Sequence, residues 1–136
     1  VIRLGKTIDY ESHENIVIEG ELSWGIFLIL QGQVGIFKAN RLTGESYDVG
    51  QLNQGSFFGE MSLIDLNPRS ASVIALEHCV ALELSRQSLF DLYEYDLQQF
   101  VIIQMNLSRE ISRRLRALDE RIMSLDMELL RLINVL

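Results

Sequence analysis

The sequence predicts a mainly β fold with added helices: an antiparallel β-roll of the double-stranded β-helix or jelly-roll kind, a short helix set within it, and helices towards the C-terminal end. Three observations predict it. Before Leu84, apolar runs rich in Val, Ile and Phe recur about every ten residues, each ended by glycine or a polar turn. From Ser85 onward the sequence has neither glycine nor proline and consists of good helix formers. Lastly, Ile111, Leu115, Leu118, Ile122, Leu125, Leu129, Leu132 and Leu136 follow one another at alternating intervals of four and three residues.

Taken in order, NIVI stops at Glu19-Gly20, WGIFLIL at Gln31-Gly32 and QVGIFKA at Asn40 with the turn-like LTGES. SYDVGQL then leads into Asn53-Gln54-Gly55, and ASVIAL and CVALELS supply two further strands. Ser85 is placed to cap a helix over RQSLFDLYEY, and a longer helix is predicted from about Asp96 to the end. Its four-three spacing is the narrow stripe of a two-stranded coiled coil, whereas a helix lying on its own domain carries a wider one. The apolar ending MELLRLINVL also demands a cover. The expected organisation is a β-roll over 1–95 and a dimerisation helix over 96–136, pairing in a homodimer through 111–136.

With 136 residues, 48% of them apolar, the chain suits one domain with a real core plus an extra element. The longest apolar runs, Ile26 to Leu30 and Phe100 to Ile103, fall far short of the roughly 20 residues that span a bilayer, and no basic-then-apolar signal segment opens the sequence. A lone cysteine, Cys79, can form no internal disulfide and fits a reducing, cytoplasmic setting. A net charge of −7 speaks against a phosphate-gripping nucleic-acid surface. The clustered arginines 109, 113, 114, 116 and 121 sit among acids, with Glu110 and Arg114 at ion-pair spacing on a helix. His13 and His78 have no recognisable partner for acid–base or nucleophilic catalysis. No His and carboxylate cluster suits a metal, so a non-enzyme is expected.

The stretch Gly55 to Val73, GSFFGEMSLIDLNPRSASV, carries the chemistry. Gly55 and Gly59 permit backbone forms and close approaches that a Cβ would block. Met61, Leu63 and Ile64 fit one short helical turn stopped by Asn67-Pro68. A short helix entered from a glycine presents free N–H groups, which suit an anion. Arg69, returned by the Pro68 turn with Ser70 beside it, adds a guanidinium able to grip a phosphate. Glu60 is an acceptor only, so next to an anion it needs a neutral donor such as a sugar hydroxyl. Anion, hydroxyl and apolar wall together describe a nucleotide with few charges. A direct Glu60–Arg69 pair across the loop is the alternative.

These residues resemble the phosphate-binding cassette of the cyclic nucleotide-binding domain family, of the catabolite activator and protein-kinase regulatory subunit type. Phe58-Gly59-Glu60-Met61-Ser62-Leu63 and Pro68-Arg69-Ser70-Ala71 match its pattern, placing the cassette at 55–72. The Glu19-Gly20 turn, the strand ending at Gly32 and the helices after Ser85 fit as well, and SREISRRLRALDERI is similar to the dimerising helix of bacterial members. The resemblance implies cyclic AMP, or cyclic GMP, as ligand, with no metal. Glu60 is implied on the ribose 2′-hydroxyl and Arg69 on the cyclic phosphate. Amides near Ser62 and Ala71, with the Ser70 hydroxyl or amide, are implied on further phosphate oxygens.

His13 stands where the family has glycine in an early turn, Trp24 where a small polar residue is common, and the sequence starts without the usual helical lead-in. Leu118-Asp119 replace a Thr-Ser pair that reads adenine. The Asp119 carboxylate either accepts from the N1–H and N2–H₂ of guanine or is simply solvated. Cyclic AMP remains the first expectation. Two other contexts stay open: the sensor half of a Crp-type transcription regulator whose DNA-binding domain lies elsewhere, and a β-roll kept for protein interaction without ligand.

Overall fold

The six predicted strands, joined by two that the sequence reading did not pick out, Lys6–Tyr10 and Phe57–Phe58, form two four-stranded antiparallel sheets in a computed structural model that describes residues 5–135. Val1 to Leu4, and Leu136 at the end of the heptad seam, lie outside the described residues. The strands are β1 (Lys6–Tyr10), β2 (Asn15–Val17), β3 (Gly25–Gln31), β4 (Val34–Ala39), β5 (Ser46–Leu52), β6 (Phe57–Phe58), β7 (Ser72–Ala75) and β8 (Cys79–Ser85). The helices are α1 (Glu60–Asp65), α2 (Arg86–Tyr95) and α3 (Leu97–Val135). One sheet runs β1-β8-β3-β6 and the other β2-β7-β4-β5, so neighbours in space are mostly distant in sequence.

Alternation along each strand sends one set of side chains between the sheets. Tyr10, Val17, Phe27, Ile29, Val34, Phe58, Val73, Ala75, Cys79 and Ala81 form this core. Phe27 and Phe58, opposite each other on β3 and β6, stack with ring centres 5.1 Å apart. That pairing makes β6 a strand, although the sequence shows Phe57-Phe58 only as aromatics between glycines. On the other face, Ile26 and Leu84 are buried opposite each other, with α2 against β8 and its Leu89 and Leu92 buried. The Cys79 thiol donates to the Gln33 carbonyl at 3.2 Å, and burial pushes its pKa up.

One glycine and one histidine show how the turns are made. Gly32, at φ 96°, leaves no space for a Cβ, which would fall 2.6 Å from the His78 carbonyl. His13 takes φ 71°, the left-handed form a glycine adopts without cost, and donates its N–H to the Ala75 carbonyl at 2.7 Å. The short helix ends earlier than Asn67-Pro68 implies. It stops at Asp65, with Leu66 left-handed at φ 61° and its N–H on the Ser62 carbonyl at 3.0 Å, because the residue before a proline resists helical geometry and the chain must leave the helix beforehand.

The chain divides into two compact units, one ending at Tyr95 and one beginning at Asp96. Ser85 caps α2 as expected, its Oγ accepting from the Ser88 N–H at 3.0 Å. Asp96 caps α3 in the same manner, its Oδ1 accepting from the Gln99 N–H at 3.1 Å. Along α3, Glu110 accepts from Arg114 at 3.2 Å and from Arg113, and the Arg113 hydrogen bond holds its carboxyl below the usual range. Leu115, Leu118, Ile122, Leu125, Leu129 and Leu132 are each more than half exposed.

Two stability changes follow. Ile29→Ala, at a site 1% exposed, should cost about 2–5 kcal/mol in denaturant unfolding. His13→Gly should instead stabilise by about 0.5–1 kcal/mol, by relieving a left-handed residue that carries a Cβ; a loss of stability would show that the imidazole contributes more than the strain.

Candidate functional site

The site is assembled where β6 turns into α1. Gly59 sits at φ 89°, ψ 3°, and passes the chain from strand to helix with no side-chain cap. It is a glycine for a second reason. A Cβ there would lie 2.6 Å from the Gly25 carbonyl oxygen and 2.7 Å from Nη1 of Arg69, so the backbone can approach the guanidinium only without one. Glu60 and Ser62, on the first turn of α1, are both buried.

Arg69 reaches this point through its backbone as well as its side chain. Its N–H donates to the Glu21 carbonyl and its carbonyl accepts from the Gly20 N–H, both at 2.9 Å, so the turn at 18–21 grips the residue on both edges. Beyond it, Ser72 Oγ accepts from the Glu19 N–H at 2.9 Å and anchors the entry to β7. The Pro68 return expected from the sequence is thus held by main-chain bonds to a loop nearly fifty residues earlier in the chain.

The guanidinium is 4% exposed and has specific partners. Nε donates to Ser23 Oγ at 2.8 Å; Nη1 donates to the Gly25 and Gly59 carbonyls, each at 3.1 Å. The Phe27 ring lies with its centre 5.9 Å from the guanidinium carbon. Burial pushes the pKa of Arg69 down, while the charges of Glu83, Glu21 and Glu60, in that order, pull it back up. An arginine stays protonated under such shifts, so the site keeps its positive charge. Arginine has five N–H donors; three are used here, and the two on Nη2 have no hydrogen-bond partner among the described residues.

Of the residues singled out from the sequence, Phe58 is a core residue stacked on Phe27, and Gly59 touches Arg69 directly. Met61 faces outward at 57% exposure, Ser62 is buried, Ser70 is exposed and Ala71 half-buried. Asp119 is an exposed residue of α3, in the unit that begins at Asp96. Sequence reasoning missed Ser23, Gly25, Phe27 and Glu83. Glu83 left a signal: it follows Cys79 and Ala81 at strand spacing, so a carboxylate occupies a core-facing position of β8 and sits opposite Phe27. Ser23 left none, because its link to Arg69 spans 46 residues. Trp24 donates its indole N–H to the Leu66 carbonyl at 3.4 Å, at the C-terminal end of α1.

A desolvated cation with donors to spare, carbonyls fixing its plane and a buried carboxylate at the next helix start suit a ligand that brings one anion and one neutral hydroxyl. The phosphate and sugar of a cyclic nucleotide fit that donor set.

Known proteins resemble the chain in sequence and in fold. The profile of the cyclic nucleotide-binding domain matches residues 7–96. The cyclic AMP receptor protein of Thermus thermophilus is 33% identical over 110 residues, covering 81% of this chain and 49% of that protein, so the chain spans about half the length of that relative. A cGMP-dependent protein kinase of Toxoplasma gondii is 29% identical over 134 residues, 98% of this chain and 12% of the kinase. The crystal structure of the Thermus thermophilus catabolite activator protein superposes with a TM-score of 0.78 at 30% identity, covering 90% of this chain and 55% of that one. The profile match takes in both sheets, α1 and Arg69, and the chain therefore belongs to the cyclic nucleotide-binding domain family.

Proposed function

We propose that this chain is a cytoplasmic, non-catalytic sensor module that binds cyclic AMP at 55–72 and transmits occupancy through a homodimer. The observation that carries the reading is Arg69, a buried cation whose Nη2 donors are left over after Ser23, Gly25 and Gly59 are served. In this reading Arg69 holds the cyclic phosphate. Amides at Ser62 and Ala71, with Ser70, take its remaining oxygens. Glu60 accepts from the ribose 2′-hydroxyl, which gives the buried acid a neutral partner beside an anion. Gly59 and Phe58 shape the wall, and Met61 continues the helix from it. Asp119 is offered by the sequence only as an acceptor for guanine, the base of the competing ligand. A relative that is a cyclic AMP receptor protein supports adenine, and one that is a cGMP-dependent kinase keeps guanine as the competing outcome.

The phosphate charge is met by the guanidinium, so the reading requires no metal; among the described residues no group of three or more His, Cys, Asp and Glu is placed to hold one. Among them, too, no helix is long and apolar enough to cross a membrane. The heptad stripe on α3 supports the homodimer, since exposed leucine and isoleucine at this spacing suit burial against a partner helix. Ligand shifts the dimer arrangement to the extent that it binds one arrangement better than the other.

Calorimetry decides the ligand. Wild-type protein should bind cyclic AMP more tightly than cyclic GMP, and Arg69→Ala should weaken binding about 100-fold, the equivalent of about 3 kcal/mol from charge-assisted hydrogen bonds. Gly59→Ala should do comparable damage by pushing on Nη1. Silence with both nucleotides at millimolar concentration would remove the sensor reading, and a preference for cyclic GMP would reverse the base assignment. For the dimer, light scattering should give twice the chain mass at tens of micromolar and a monomer for the pair Leu125→Glu with Leu129→Glu; a monomeric wild type contradicts the seam.

A further inference from the structure

We infer that Ser23 is a phosphate-binding residue of this site, acting together with Arg69 as one two-donor edge. The inference rests on the cyclic nucleotide reading and extends it to a residue outside the 55–72 segment. A guanidinium normally grips a phosphate with two parallel N–H groups. Here that grip is closed off: Nε is taken by Ser23 Oγ at 2.8 Å, and the two Nη1 donors by the Gly25 and Gly59 carbonyls at 3.1 Å. Only Nη2 remains. Acceptors on Nε and Nη2 lie side by side along the same edge of the guanidinium, so a phosphate oxygen on Nη2 comes to stand next to Ser23 Oγ.

A serine hydroxyl has one donor and two acceptor sites. Ser23 spends an acceptor site on Nε, and its O–H has no partner among the described residues. The hydroxyl therefore passes the grip on. It receives from the cation, which strengthens its own O–H as a donor, and gives to the second phosphate oxygen in place of Nε. Ser23 is half-buried in the loop before β3, close enough to the surface for a ligand to enter and sheltered enough for the bond to count. The same bond fixes the guanidinium plane before any ligand arrives, so little ordering remains to be done on binding.

The test combines a ligand-free and a ligand-bound measurement. In the free protein, the Arg69 Nε–H should give a resolved, slowly exchanging nitrogen–proton NMR resonance near neutral pH, kept in Ser23→Thr and lost to fast exchange in Ser23→Ala. Calorimetry should then show cyclic AMP binding about tenfold weaker in Ser23→Ala and within about threefold of wild type in Ser23→Thr. The ratio of affinities for the Sp and Rp phosphorothioate isomers of cyclic AMP should change severalfold in Ser23→Ala, because only one exocyclic oxygen loses a donor. Weaker binding with an unchanged isomer ratio overturns direct donation, and unchanged affinity overturns the proposal as a whole. If wild-type protein binds no cyclic nucleotide, the underlying reading falls and this one with it; if wild type binds and Ser23→Ala behaves identically, this proposal alone falls.

Discussion

The structure around the cassette is governed by one demand, the burial of a guanidinium. An ion taken from water costs several kcal/mol unless lone pairs or other charges replace the solvent. Arg69, 4% exposed, meets the demand everywhere except at Nη2: a hydroxyl at Nε, two carbonyls at Nη1, the Phe27 face, and the fields of Glu83, Glu21 and Glu60. Each supplier is constrained in turn. Gly59 can carry no Cβ, Gly25 must present its carbonyl at the start of β3, and β8 must tolerate a carboxylate on its inner face.

The backbone carries as much of this arrangement as the side chains. The turn at 18–21 is bonded to both edges of Arg69, Glu19 is tied through its amide to Ser72, and the Glu19 carboxylate accepts from the Ala39 N–H at 2.9 Å. The loop that fixes the arginine is therefore also fastened to β7 and β4. The position of the cation is therefore set by main-chain bonds of the roll as well as by its own rotamer.

Much of the fold was legible because local chemistry and period agreed. SYDVGQL and CVALELS are the residues of β5 and β8, and RQSLFDLYEY is α2 behind its Ser85 cap. The short helix after Gly59 was also readable, since a glycine followed by helix formers and a proline brackets it from both sides. What escaped was set by distant neighbours. Phe57-Phe58 becomes a strand only because β3 lies alongside, and Leu66 is left-handed because the backbone must turn before the pre-proline residue. At the site, the return of Arg69 towards the start of the short helix was foreseeable from the Pro68 turn. The hydroxyl of Ser23 and the carbonyl of Gly25 were not, because no local pattern announces a partner more than forty residues away.

Trp24 gives the molecule one more property. It is the single tryptophan of the chain, 41% exposed, and its indole N–H reaches the Leu66 carbonyl where α1 ends. Indole emission responds to its hydrogen bonding and to water, and here both depend on where that helix end sits. The chain thus has a built-in optical gauge at the tip of its own cassette, with no second tryptophan to blur the reading and no dye needed to follow the helix in solution.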